Sequence, residues 1–141
     1  MDNLKDYFRE MDFEAFGTGG FATAPTALPG LIKNRAFLLD LRTREEADGF
    51  SLPVAMHIPL HELPDRLDEI PGDIPVVLFA GEPWRPSVAM AYLIAKGFDQ
   101  VSMIPQGLPE MAKMLKPGPL HAAGVHQTTE TRPQCGCRPC C

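Results

Sequence analysis

Two stretches of this 141-residue chain hold residue types able to do chemistry. The first is Ala80-Gly81-Glu82-Pro83-Trp84-Arg85-Pro86-Ser87, which follows the apolar run Val76–Phe79. That run has no polar alternation, as suits a strand covered on both faces. Residues 88–96 are apolar nearly all round, and Gly97 stands where a helix would stop. Pro86 fits the first helical turn, where a missing N–H does no harm. A strand feeding a loop that opens a helix aims backbone N–H groups and a positive dipole end at one point. Such a point favours an anion, or a nucleophile that must become one. The second stretch, Cys135-Gly136-Cys137-Arg138-Pro139-Cys140-Cys141, holds all 4 cysteines of the chain. Thiols suit sulfur transfer, redox chemistry or soft-metal binding.

The elements that must position the loop come from pattern. Residues 2–11 read as an amphipathic helix packed on the domain edge, with Leu4, Tyr7, Phe8 and Met11 at helical spacing and Asp2 or Asn3 as cap. Residues 17–30 read as loop; a short helix near Thr26 is disfavoured by Pro29 and Gly30. Residues 36–40 form a buried strand ending in Asp40. Thr43 caps a short helix with Glu46 three residues on, a capping box, and Gly49 ends it. Met56-His57-Ile58-Pro59 suits a short strand stopped by proline. Residues 60–70 carry Leu60, Leu63, Leu67 and Ile70 at helical spacing, with a proline in the first turn. Residues 101–104 form a further strand, Gln106-Gly107 a turn and residues 109–115 a helix. Strands alternating with helices imply an α/β fold, a small parallel sheet with helices on both faces. Ligands of such sheets gather beyond the strands' carboxyl ends, where Asp40 and the Ala80 loop both fall.

Composition narrows the class. The chain is 45% hydrophobic and 22% charged, as for an ordinary soluble domain, and fits one domain plus a tail. A net charge of −5 argues against a nucleic-acid partner. No apolar run has membrane-spanning length and no signal peptide opens the chain, so the expectation is a cytoplasmic protein without membrane attachment. A core without cysteine lacks the disulfide framework of small secreted scaffolds.

The segments Asp40-Leu41-Arg42-Thr43-Arg44-Glu45-Glu46, His57-Ile58-Pro59-Leu60, Leu63-Pro64-Asp65-Arg66-Leu67, residues 76–85, residues 95–101 and Gly107 resemble, in order and spacing, a single-domain rhodanese. The resemblance runs from about residue 30 to residue 116. It implies a domain over residues 30–117, a helix and loop over 1–29 packing on it, and a flexible cysteine-rich tail over 118–141. Members of that family are sulfurtransferases. Their loop cysteine takes a sulfane sulfur from a donor such as thiosulfate, carries it as a persulfide and passes it to a thiol or cyanide. Loop amides at the helix N-terminus lower the thiol pKa and hold the terminal sulfur.

This chain departs from that pattern at the reacting atom. By the resemblance the family's cysteine falls on Ala80, and Arg85 matches an arginine. Glu82 adds a negative charge, Pro83 deletes a donor and Trp84 adds bulk at the mouth. Gly81 through Ser87 would shape the substrate loop. The spacing also differs from that of phosphatases sharing the fold, which use a loop one residue longer and also need the cysteine. Asp40 and Arg42 match residues that organise the loop from below. Arg85 either binds an anion or pairs with Glu82 or with solvent. Glu45 and Glu46 read as a solvated helix face. His57 is expected to be packed or backbone-bonded, and His61 exposed.

Residues 118–131 are polar with proline and glycine, and read as disordered. For the thiols beyond them three accounts stand. In one, Cys135, Cys137, Cys140 and Cys141 are a mobile sulfur carrier. Some 17 residues of tether would reach roughly 55 Å, beyond any point of so small a domain. In another they bind Zn or Cu(I), helped by His121 or His126, although the spacing is tight for one tetrahedral zinc. In the last they form an oxidation-prone tail. Cys140-Cys141 also resembles a prenylation signal, with nothing else in support of an anchor. The partners expected are a sulfur donor or acceptor protein or a small sulfur anion, with no cofactor required. The alternative is a non-catalytic module for a soft metal, an anion or a protein.

Overall fold

The computed structural model describes residues 2–125. Four short strands build one parallel sheet: β1 (Phe37–Asp40), β2 (Met56–His57), β3 (Val76–Phe79) and β4 (Val101–Met103), in the order β2-β1-β3-β4. Asp40 stands opposite His57 on one side and Phe79 on the other, so these strands end along a common edge. Phe21 to Thr23 continue the sheet beyond β4, with a parallel bridge between Ala22 and Met103 and hydrogen bonds from Thr23 N to Met103 O and from Met103 N to Phe21 O.

All four residues of β3 are buried, as its unbroken apolar run predicts. Successive side chains on a strand point to opposite faces, so this one strand feeds two cores. Val76, Leu78 and Ala80 join Leu39, Leu41 and Leu93 on one face, while Val77 and Phe79 join Leu28, Leu38 and Ile104 on the other. Helix α1 is Asp2–Glu10 and α2 is Phe13–Gly17. Later helices are α3 (Leu28–Lys33), α4 (Arg44–Gly49), α5 (Trp84–Ala95), α6 (Leu108–Met114) and α7 (Pro117–Ala122). Ala89, Met90 and Leu93 of α5 are buried in the first core, and Leu28 of α3 and Met111 of α6 in the second. Among the described residues no helix is long and apolar enough to cross a membrane.

Helix ends follow their sequence signals. Thr43 and Glu46 form the expected capping box. Gly97, at φ +96°, closes α5, with its N–H donating to Ile94 O and that of Phe98 to Leu93 O.

Three expectations are corrected. Residues 28–30 of the expected loop belong to α3, which runs on to Lys33, because Pro29 sits in the first turn, where it costs no hydrogen bond, and Leu28 is fully buried. Residues 60–70 form two 3₁₀ turns, Leu60–Asp65 and Leu67–Glu69, instead of an α-helix. Pro64 lies inside the first, and an apolar spacing near three serves three residues per turn equally well. Within the stretch read as disordered, residues 118–122 belong to α7. Pro117 opens that helix, and Gly124 at φ +78° closes it with Val125 N donating to Leu120 O. His126 and the tail thiols Cys135, Cys137, Cys140 and Cys141 lie outside the described residues.

Candidate functional site

The site lies where β1 and β3 end. Asp40 and Arg42 are buried side by side, at 2% and 1% exposure. Arg42 donates from Nε to both carboxylate oxygens of Asp40 (2.9 and 3.1 Å) and from Nη2 to Oδ2 (2.7 Å). Nη1 also donates to the backbone carbonyl of Glu46 (3.3 Å) and Nη2 to that of Phe50 (2.7 Å). The pair therefore ties the first turn of α4 and its C-cap Phe50 to the sheet edge. His57 Nε2 lies 2.8 Å from Arg42 O. A carbonyl only accepts, so that nitrogen carries the ring proton.

Above this layer is a cavity of about 420 Å³. Ala80, Gly81, Glu82 and Arg85 line it from the β3–α5 loop, and Arg42, Glu46, Gly49 and Phe50 from the α4 side. Gly107, Leu108 and Pro109 close it from the start of α6. Ala80 is 3% exposed and belongs to the same core face as Leu78. Gly81 turns the chain at φ +82°, and a Cβ there would lie 3.5 Å from Leu108 Cγ. The left-handed turn favours glycine, while the Leu108 distance is an ordinary van der Waals contact.

The charged groups are locked to one another. Glu82 accepts from Trp84 N (2.5 Å), from Arg85 N (3.3 Å to each oxygen) and from Arg85 Nε (2.6 Å). Pro83 at the N-cap makes no side-chain cap bond, so Glu82 caps α5 in its stead. Arg85 also donates from Nη1 and Nη2 to the two oxygens of Glu46, at 2.6 and 3.0 Å. Of the alternatives for Arg85, pairing with Glu82 is thus realised, and Glu46 is added. Glu46 is not merely a solvated helix face. Its own helix registers only the capping role, whereas Arg85 reaches it from 39 residues away.

Hydrogen bonding from Arg85 holds the Glu46 carboxyl at about 2, against an ordinary 4.5. For Glu82, burial alone would raise the pKa; the Arg85 side chain and the Trp84 and Arg85 amides outweigh it and hold the carboxyl below its usual value. Both acids raise the pKa of Arg85, Glu46 foremost through its hydrogen bond.

Not every expected loop residue reaches the cavity. Trp84 is 77% exposed on the surface of α5. Pro86 is buried in the helix flank, and Ser87 Oγ donates back to Pro83 O at 2.7 Å. Pro83 is the N-cap. Sequence reasoning missed Glu46, Phe50 and the 107–109 segment as site residues. The glycine turn at 107 was visible, but nothing local says that it faces Gly81.

A rhodanese-like domain family model matches residues 24–114 of this chain. A sulfurtransferase from Allochromatium vinosum is 34% identical over 76 residues, which span 54% of this chain and 71% of that protein. Among solved structures, reduced CoADR-RHD of Bacillus anthracis aligns at a TM-score of 0.61 and 28% identity over 68% of this chain; the match covers only 17% of that longer chain. A human single-domain sulfurtransferase aligns at a TM-score of 0.61 and 22% identity, over 68% of this chain and 98% of its own, a likeness of fold.

Proposed function

The chain belongs to the rhodanese-like domain family, and from that premise we propose that its β3–α5 loop transfers no sulfur and that the thiols of Cys135, Cys137, Cys140 and Cys141 carry it instead. The observation behind this reading is Ala80. The resemblance aligns it with the family's loop cysteine, it lines the cavity, and a methyl group cannot attack sulfur. The chain holds no cysteine before residue 135. The substrates are a sulfane-sulfur donor, a small sulfur anion or a protein persulfide, and a thiol or cyanide acceptor, in the cytoplasm.

The chemistry balances on one tail thiolate. It attacks the outer sulfur of thiosulfate; the S–S bond breaks and sulfite leaves with the bonding electron pair. The acceptor's nucleophile then attacks the terminal sulfur of the persulfide, and the tail thiolate departs unchanged. A tether of this kind supplies on the order of millimolar local thiol near the domain. No residue of the loop takes part in either step.

The test compares the full chain with a C135S/C137S/C140S/C141S variant, using thiosulfate or polysulfide as donor and cyanide as acceptor. Transfer by the full chain and none by the variant is expected. Equal turnover by both would overturn the reading, as would no turnover by either.

A further inference from the structure

A loop that ends a strand and opens a helix presents N–H donors to an incoming anion. Here those donors already hold one. The Glu82 carboxylate takes the Trp84 amide at 2.5 Å and the Arg85 amide at 3.3 Å. It also takes Arg85 Nε at 2.6 Å, and Glu46 takes both terminal nitrogens of Arg85. The guanidinium is held between two carboxylates on three of its donors. Buried Arg42 offers the cavity no free charge either, since Asp40 neutralises it. The mouth thus carries two acids against one shared cation and is net negative.

We propose that Glu82 is the resident anion of this loop and sets the ligand charge the cavity accepts: small oxyanions are excluded, and neutral or cationic groups are admitted. The missing thiol and the filled anion site are separate losses. Restoring the thiol alone therefore leaves a loop that does not stabilise a thiolate, because the Trp84 and Arg85 amides and the Arg85 guanidinium remain engaged and a carboxylate lines the same cavity. Thiols at free helix N-termini titrate well below the ordinary value of about 8.5. Nearby negative charge raises a thiol above it, and here two carboxylates share one guanidinium.

This inference concerns the loop alone, and its test uses no tail thiol, so it fails or stands independently of the sulfur-carrier reading. In a full-length C135S/C137S/C140S/C141S background, Ala80→Cys supplies one reporter thiol. Its pKa is read from the pH profile of alkylation by iodoacetamide. With Glu82 present, the midpoint is expected at or above about 8.5. Adding Glu82→Ala frees the amides and is expected to lower it by about one unit or more; Glu82→Gln, which removes the charge and keeps an acceptor, lowers it by less. A midpoint already below about 7.5 with Glu82 in place would overturn the proposal, as would one that neither substitution moves. A second readout keeps the native Ala80. The Trp84 amide resonance is followed while thiosulfate is added. Glu82→Ala is expected to respond at a concentration at least tenfold below that needed for the native chain, and equal responses would overturn the proposal.

Discussion

Replacing Asp40 with asparagine tests whether the buried pair holds the site in place. The native carboxylate receives three hydrogen bonds from the Arg42 side chain and one from the Arg42 amide at 3.0 Å. Asparagine keeps the shape but turns one acceptor oxygen into an NH₂ that faces a guanidinium donor. The Arg42 charge, 1% exposed, then has no counter-charge. Breaking a buried pair from one side costs about 3–5 kcal/mol. At a urea m-value of about 1–3 kcal/mol/M, the unfolding midpoint falls by on the order of 2 M. Arg42 also holds the Glu46 and Phe50 carbonyls, so a displaced guanidinium loosens α4 and the cavity wall together. Replacing both partners, D40L with R42M, is expected to recover a large part of the loss, since the cost lies in the unpaired charge. Urea unfolding followed by far-ultraviolet circular dichroism measures all three chains. A D40N midpoint within about 0.5 M of the native one would refute the reasoning.

Two further outcomes follow from the same geometry. Glu46 has its folded pKa depressed to about 2 from 4.5, so the stability it contributes is fully present above pH 4.5 and lost as pH falls through about 2. Acid unfolding of Glu46→Gln is therefore expected to show a shallower loss between pH 4.5 and 2 than the native chain, and identical profiles would remove Glu46 from the account. Gly81→Ala forces a side chain into φ +82° with Leu108 in contact, and thermal unfolding is expected to report a loss of about 1–2 kcal/mol.

The central strand was legible because a parallel strand buried on both faces leaves a continuous apolar run, and Val76–Phe79 is such a run. The capping box at Thr43 and the stop at Gly97 were legible because both are local contacts. What sequence could not show is long-range or ambiguous in period. The Glu46–Arg85 bridge joins two helices 39 residues apart, so each residue alone reads as surface. Leu60, Leu63 and Leu67 fit either helical period, and only the proline at 64 hints at the tighter turn. The helix over Pro117–Ala122 hides in polar composition because its stability comes from its ends and from packing, with Leu120 half-buried.

The central claim is that sulfur rides on the far thiols and never at Ala80's loop. Its most direct test is peptide mapping by mass spectrometry after incubation with thiosulfate or polysulfide. The account predicts the mass of one added sulfur atom on the peptide bearing residues 135–141 of the full chain. A full chain that turns over while that peptide stays unmodified at every stage would contradict it.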